Sequence, residues 1–201
     1  MTVPGRGLVA LGVGPDAVTV VGTVGVVVTA FALWPAGRLE LGAWLLFGFA
    51  MFDSLDGTVA RLSGRSTRWG AFLDSTLDRV ADASIFGALA IWFHLQGDTV
   101  GLVLAVLVVG AGALVPYARA KAESMGVAAD NGLAERGDRL ALGITATWSV
   151  QALGVPVVVL HAVLALLLLA SLVTTAQRAA RVRRALGSSP AVDPSDLPAG
   201  R

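Results

Sequence analysis

Cysteine is absent, lysine and tyrosine occur once each, at Lys121 and Tyr117, and histidine occurs twice in 201 residues. Without thiols there is neither a disulfide framework nor a thiolate metal site, so any metal must be held by oxygen or by His94 and His161. Charge is scarce too. Charged residues make up 14% of the chain, against about 25% in a soluble protein. The 15 basic and 14 acidic residues nearly cancel, and their bunching in short segments leaves no basic face for a nucleic acid. No cleavable signal peptide is expected, because the first dozen residues lack a compact apolar region ending in a small-residue cleavage site.

What the chain has in abundance is apolar sequence. Hydrophobic residues are 55% of it, and stretches able to cross about 30 Å of hydrocarbon fall near Ala17–Trp34, Leu41–Ala60, Ala71–Phe93, Val100–Tyr117, Leu140–Leu153 and Val157–Thr175. The expected fold is therefore an all-α membrane protein. It is a bundle of about six transmembrane helices, with Thr2–Val13 lying as a short N-terminal interfacial helix. One membrane domain is expected over 1–186, followed by a disordered tail over 187–201 that is rich in Ser, Pro, Ala and Asp.

The connections alternate in character. Those at Pro35–Arg38, Gln96–Asp98 and Gly154–Pro156 are short and carry one arginine. Arg61–Arg68, Arg119–Arg139 and the tail with Arg178, Arg181, Arg183 and Arg184 are basic, so by the positive-inside rule they and both termini face the cytoplasm. This suits a multi-pass protein of the plasma membrane. Trp34 and Trp92 fall at outer ends and are expected in an interfacial belt. Gly22, Gly25, Gly87, Gly110 and Gly112 are expected to mark close helix packing.

Five aspartates interrupt this apolar pattern: Asp53, Asp56, Asp74, Asp78 and Asp82. A carboxylate at bilayer depth is costly, so it should face the bundle interior and meet a cation or a proton pathway. Asp53 and Asp56 are three apart, whereas Asp74, Asp78 and Asp82 are four apart, so each set projects from one face of its helix. Four carboxylates from two helices supply the hard oxygen ligands that Mg²⁺ prefers. Gly57 and Ala60 leave room for close approach, and Arg61 is placed to pair with a phosphate. A cation or proton transporter with midplane carboxylates is the competing class. The acidic residues, however, lie within one or two turns of the basic loop at Arg61–Arg68, where a headgroup meets a soluble substrate.

The run from Asp53 to Asp78 matches D-x-x-D-G-x-x-A-R-x8-G-x-x-x-D-x-x-x-D at every fixed position: Asp53, Asp56, Gly57, Ala60, Arg61, Gly70, Asp74 and Asp78. On this motif and the six-span layout the chain resembles the CDP-alcohol phosphatidyltransferases. The resemblance implies that Asp53, Asp56, Asp74 and Asp78 hold two Mg²⁺ ions, with Mn²⁺ as the alternative. It also implies that Asp78 accepts the proton of the attacking hydroxyl, and that a CDP-linked lipid loses CMP at the cytoplasmic boundary. Gly14, Pro15, Asp16, Ala17, Gly57, Arg61 and Thr67 are the implied contacts to that lipid, CDP-diacylglycerol.

The cations at Arg119, Lys121, Arg136, Arg139 and Arg178 suggest an acceptor that itself carries a phosphate. They resemble those of actinobacterial phosphatidylinositol phosphate synthases within the family, and the implied acceptor is inositol 1-phosphate, with glycerol 3-phosphate or free inositol as alternatives. Pro116 stands where such synthases tend to show a serine. A homodimer is expected on the same resemblance. Asp82 lies outside the signature, and both direct metal ligation and hydrogen bonding to a ligand's partner are open to it. His94 and His161 are expected to be structural, and Arg79 is expected to turn away from the face that Asp78 presents.

Overall fold

The computed structural model describes residues 15–50, 67–129 and 136–187. Within them the chain forms helices α1 (Pro15–Leu33), α2 (Leu39–Ala50), α3 (Arg68–Leu95), α4 (Thr99–Ser124), α5 (Arg136–Ala152) and α6 (Val157–Gly187). Among the described residues, α1, α4 and α6 are long and apolar enough to cross a membrane, while α2 is a shorter apolar helix. Charge sets α3 apart, since Asp74, Asp78, Arg79 and Asp82 fall within its first four turns. The protein is an all-helical, multi-pass membrane protein.

Tight turns fold the helices back on one another. At the end of α1, Gly37 N donates to Trp34 O at 2.9 Å and Arg38 N to Leu33 O at 2.9 Å. This closure needs a left-handed residue, and Gly37 supplies it with φ of 75°. The α3–α4 turn closes in the same way at Gly97. Asp98 then caps α4 by accepting from Gly101 N at 2.9 Å, which starts the next helix at once. Gln151, near the end of α5, clasps the α1–α2 turn: it donates to Gly37 O at 2.9 Å and accepts from Glu40 N at 2.7 Å.

Packing pairs α4 with α6, α3 with α4, α1 with α3 and α5 with α6. The core runs through Phe86, Leu89 and Phe93 of α3, Ala105 and Val108 of α4, Ile144 of α5 and Leu160, Leu164 and Leu167 of α6. Small residues set the spacing, as expected of helices that must approach without a large apolar driving force between them. A Cβ on Gly101 would lie 2.2 Å from the Phe93 ring, and one on Gly143 would lie 2.9 Å from Phe86. Of the glycines expected to mark close packing, Gly25 is covered by the Phe49 ring, Gly87 faces Phe31 more loosely and Gly112 meets Arg139. Gly22 and Gly110 have open space instead.

Two further expectations change. Trp34 and Trp92 are buried in the core, not held in an interfacial belt: Trp34 lies over Gly42, where no side chain opposes it, and Trp92 packs beside Phe93. Helices α4 and α6 also run about two and three turns past the expected spans, to Ser124 and Gly187. Two arginines of the α6 overhang make contacts with the backbone of α4 and of the segment that follows it. Arg178 of α6 donates to Val115 O of α4 at 2.5 Å, and Arg181 reaches Ala128 O just past α4 at 3.4 Å.

Candidate active site

The α3 face begins at its cap. Thr67 is extended, with φ of −106° and ψ of 153°, and its Oγ1 accepts from Gly70 N at 2.9 Å, satisfying one of the donors left over at a helix start. A Cβ on Gly70 would lie 3.1 Å from Thr67 Oγ1 and 3.4 Å from Asp16 Oδ1, so the first turn of α1 and the cap of α3 meet closely across this glycine. Asp16 thus comes together with Thr67 and Gly70, which follow it by 51 and 54 residues, at one end of the bundle.

Down the same helix, Asp74 is exposed, Asp78 half-buried and Asp82 buried, so the carboxylates descend from surface to interior. From α5, Arg136 Nη1 lies 2.9 Å from Asp78 Oδ1, and its Nε lies 3.1 Å from Asp82 Oδ1. Arg139, only 2% exposed, places Nη2 at 2.5 Å from Asp82 Oδ2. Arg79 Nη2 stands 3.3 Å from Asp78 Oδ2, so this arginine stays beside its neighbour. Its Nε is buried without a hydrogen-bond partner. Asp78 and Arg136 are also the charged members of the wall of a cavity of about 410 Å³, otherwise lined mainly by apolar residues of α1, α2, α3 and α5. Among the described residues, the charge on this wall is that of Asp78 and Arg136, set in apolar surroundings where electrostatic interactions are stronger than in water.

The other expected cations are placed differently. Arg119 is exposed and pairs with Glu123 at 2.8 Å, one turn further along α4. Lys121 is exposed on the last turns of the same helix, and Arg178 is buried against Val115 O. Ala17 sits exposed in the first turn of α1, and Pro15 begins that helix. Gly14, Asp53, Asp56, Gly57 and Arg61 lie outside the described residues.

Among the described residues no group of three or more metal-type ligands occurs. Asp74 and Asp78 supply carboxylate oxygen one turn apart, which is the donor chemistry that Mg²⁺ and Mn²⁺ accept. These two carboxylates have the donor chemistry for a hard divalent ion; the other acidic positions of the signature, Asp53 and Asp56, lie outside the described residues.

At the opposite end, His161 Nε2 lies 2.7 Å from Asp98 Oδ2, and its ring is 5.4 Å from Phe93. Burial pushes the Asp98 carboxyl up. The Gly101 amide, the hydrogen bond and charge of His161 and the Val100 amide outweigh burial and hold the carboxyl below its ordinary value. A structural role for His161 was legible, but its partner was not. The two residues are 63 apart, with no spacing rule to connect them.

The family model for CDP-alcohol phosphatidyltransferase matches residues 13–177. The chain belongs to the CDP-alcohol phosphatidyltransferases. Among curated relatives it is similar to the phosphatidylinositol phosphate synthase of Streptomyces avermitilis, at 42% identity over 88% of this chain and 75% of the relative. To that of Cutibacterium acnes it is similar at 43% identity over 88% of each chain. The crystal structure of Mycobacterium tuberculosis phosphatidylinositol phosphate synthase with CDP-DAG bound superposes with a TM-score of 0.82 at 36% identity, covering 89% of this chain and 91% of that one. The same enzyme in complex with manganese and citrate superposes with a TM-score of 0.84 at 35% identity, over 90% and 88% of the two chains. As a CDP-alcohol phosphatidyltransferase, the protein is a metal-dependent phosphotransferase of phospholipid biosynthesis.

Proposed function

We propose that this CDP-alcohol phosphatidyltransferase moves the phosphatidyl group of CDP-diacylglycerol onto inositol 1-phosphate, giving phosphatidylinositol phosphate and CMP. The observation that carries the reading is the meeting of Asp78 and Arg136 in one apolar chamber: a carboxylate from the signature beside a guanidinium able to recognise a phosphate. Likeness of about 40% to phosphatidylinositol phosphate synthases supports the same acceptor.

In this reading the acceptor hydroxyl attacks the lipid-side phosphorus, the bond from that phosphorus to the CMP oxygen breaks, and Asp78 takes the hydroxyl proton. Asp53, Asp56, Asp74 and Asp78 hold divalent metal, two Mg²⁺ ions or Mn²⁺ in their place, which when bound neutralises and orients the diphosphate. Arg136 holds the acceptor phosphate; Arg119, Lys121, Arg139 and Arg178 are the other cations that the family resemblance assigns to it. Gly14, Pro15, Asp16, Ala17, Gly57, Arg61 and Thr67 cradle the CDP-lipid, an assignment supported by the closeness of Asp16 to the Thr67 cap. By the same family likeness the working unit is a homodimer. The mouth faces the cytoplasm, the side to which the positive-inside rule assigns the basic segments.

A panel of acceptors tests the reading. Purified protein is given CDP-diacylglycerol, Mg²⁺ and, in turn, inositol 1-phosphate, glycerol 3-phosphate or free inositol, and the lipid product is identified by mass. Phosphatidylinositol phosphate is the expected product. Faster turnover of glycerol 3-phosphate or free inositol would replace the acceptor while leaving the reaction type intact.

A further inference from the structure

Resting on that reading of the site, we propose that Asp82, outside the family signature, is the positioning residue that fixes Arg136 over Asp78. Asp82 follows Asp78 by four residues, so it lies on the same face of α3 one turn deeper, and it is buried. Its two oxygens serve different arginines of α5: Oδ1 meets Arg136 Nε at 3.1 Å, and Oδ2 meets Arg139 Nη2 at 2.5 Å. Arg136 and Arg139 are three apart and share a helix face, so one carboxylate grips both.

The division of labour follows from burial. Arg139 is 2% exposed and lies against Gly112 of α4, where a Cβ would stand 3.4 Å from its Nε and Cζ. A buried cation of this kind is destabilising unless paired, so Arg139 and Asp82 form the fixed anchor. Arg136 is the half-exposed member and reaches past Asp82 to Asp78, with Nη1 at 2.9 Å from Oδ1. A guanidinium is a rigid planar fork, so holding Nε at Asp82 and Nη1 at Asp78 determines its orientation. Asp82 also apportions charge. Without its negative charge, Arg136 would keep only Asp78 of these two carboxylates, the oxygen donor that the reaction needs and one that already meets Arg79 at 3.3 Å. Asp82 thus acts through Arg136, by keeping that cation shared between two carboxylates.

A double-mutant cycle tests this on the full-length enzyme in detergent or vesicles, using Asp82→Asn, Arg136→Lys and the double variant. Asp82→Asn is expected to lower kcat/KM for inositol phosphate about tenfold while moving the KM for CDP-diacylglycerol less than about twofold, in the range found when partners that orient site residues are removed. Arg136→Lys keeps the charge but loses the fork, and the double variant should be no worse than the more severe single one, because coupled residues do not add. Losses that multiply in the double variant, or equal changes in KM for both substrates, overturn the assignment. If Asp82→Asn does not fold, the cycle is run with Asp82→Glu, and the same criterion of additivity decides. Wild-type CMP release separates the two readings: an inactive wild type ends the proposed function, whereas an active wild type with an additive cycle ends the role of Asp82 alone.

Discussion

Asp78 carries two burdens at the residue scale, as a signature carboxylate and as the partner of Arg136 and Arg79. Asp78→Asn keeps the shape and removes the charge and the proton acceptor, so kcat is expected to fall by about a thousandfold, within the span of lost general-base catalysis. Retention of more than a tenth of the wild-type rate would assign the proton to another group. Arg136→Ala should raise the KM for the acceptor more than that for CDP-diacylglycerol, and equal losses would argue against a phosphate contact there. Spacing along one helix made the Asp74, Asp78, Asp82 face legible in the sequence, because the period of 3.6 residues is a local property. The pairing of Asp82 with Arg136 and Arg139, across 54 and 57 residues, depends on how two helices meet. No periodicity encodes it, so carboxylates and arginines that read as separate metal and acceptor sets form one network.

At the scale of elements, helix starts and close approaches set the tests. Thr67→Ala removes the cap of α3 and should lower stability by about 1 kcal/mol, read as a lower unfolding temperature. Gly101→Ala places a methyl group against the Phe93 ring and should cost about 1–3 kcal/mol through overpacking, with partial recovery in Gly101→Ala/Phe93→Leu. The Asp98–His161 link predicts a pH dependence. Because the folded carboxyl titrates below its ordinary value, its stabilising charge is fully present above the unfolded value of about 4 and is lost as pH falls through the folded one. The unfolding-temperature gap between wild type and Asp98→Asn should therefore be widest near neutrality and close at acidic pH; a gap that does not change with pH would remove the charge from the explanation. The short connections that hold Gly37 and Gly97 were legible as breaks between apolar stretches. The far ends of α4 and α6 were not, since hydropathy reports where lipid ends and not where hydrogen-bonded turns end.

For the whole molecule, six apolar stretches foretold the six described helices, and the family signature named the chemistry. Three of those helices hold a stretch long and apolar enough to cross a membrane, whereas α3 carries the carboxylates of the site. The two buried tryptophans show the limit of placing a residue by depth alone: Trp34 and Trp92 stand at helix ends, but their faces turn inward. The central claim is that α3 carboxylates and divalent metal drive displacement of CMP from CDP-diacylglycerol. Its most direct measurement is CMP release by the purified protein with inositol 1-phosphate, with and without chelator, in wild type and Asp78→Asn. Release that needs Mg²⁺ or Mn²⁺ and vanishes in the variant is the predicted result; release that persists in chelator, or survives unchanged in Asp78→Asn, would contradict it.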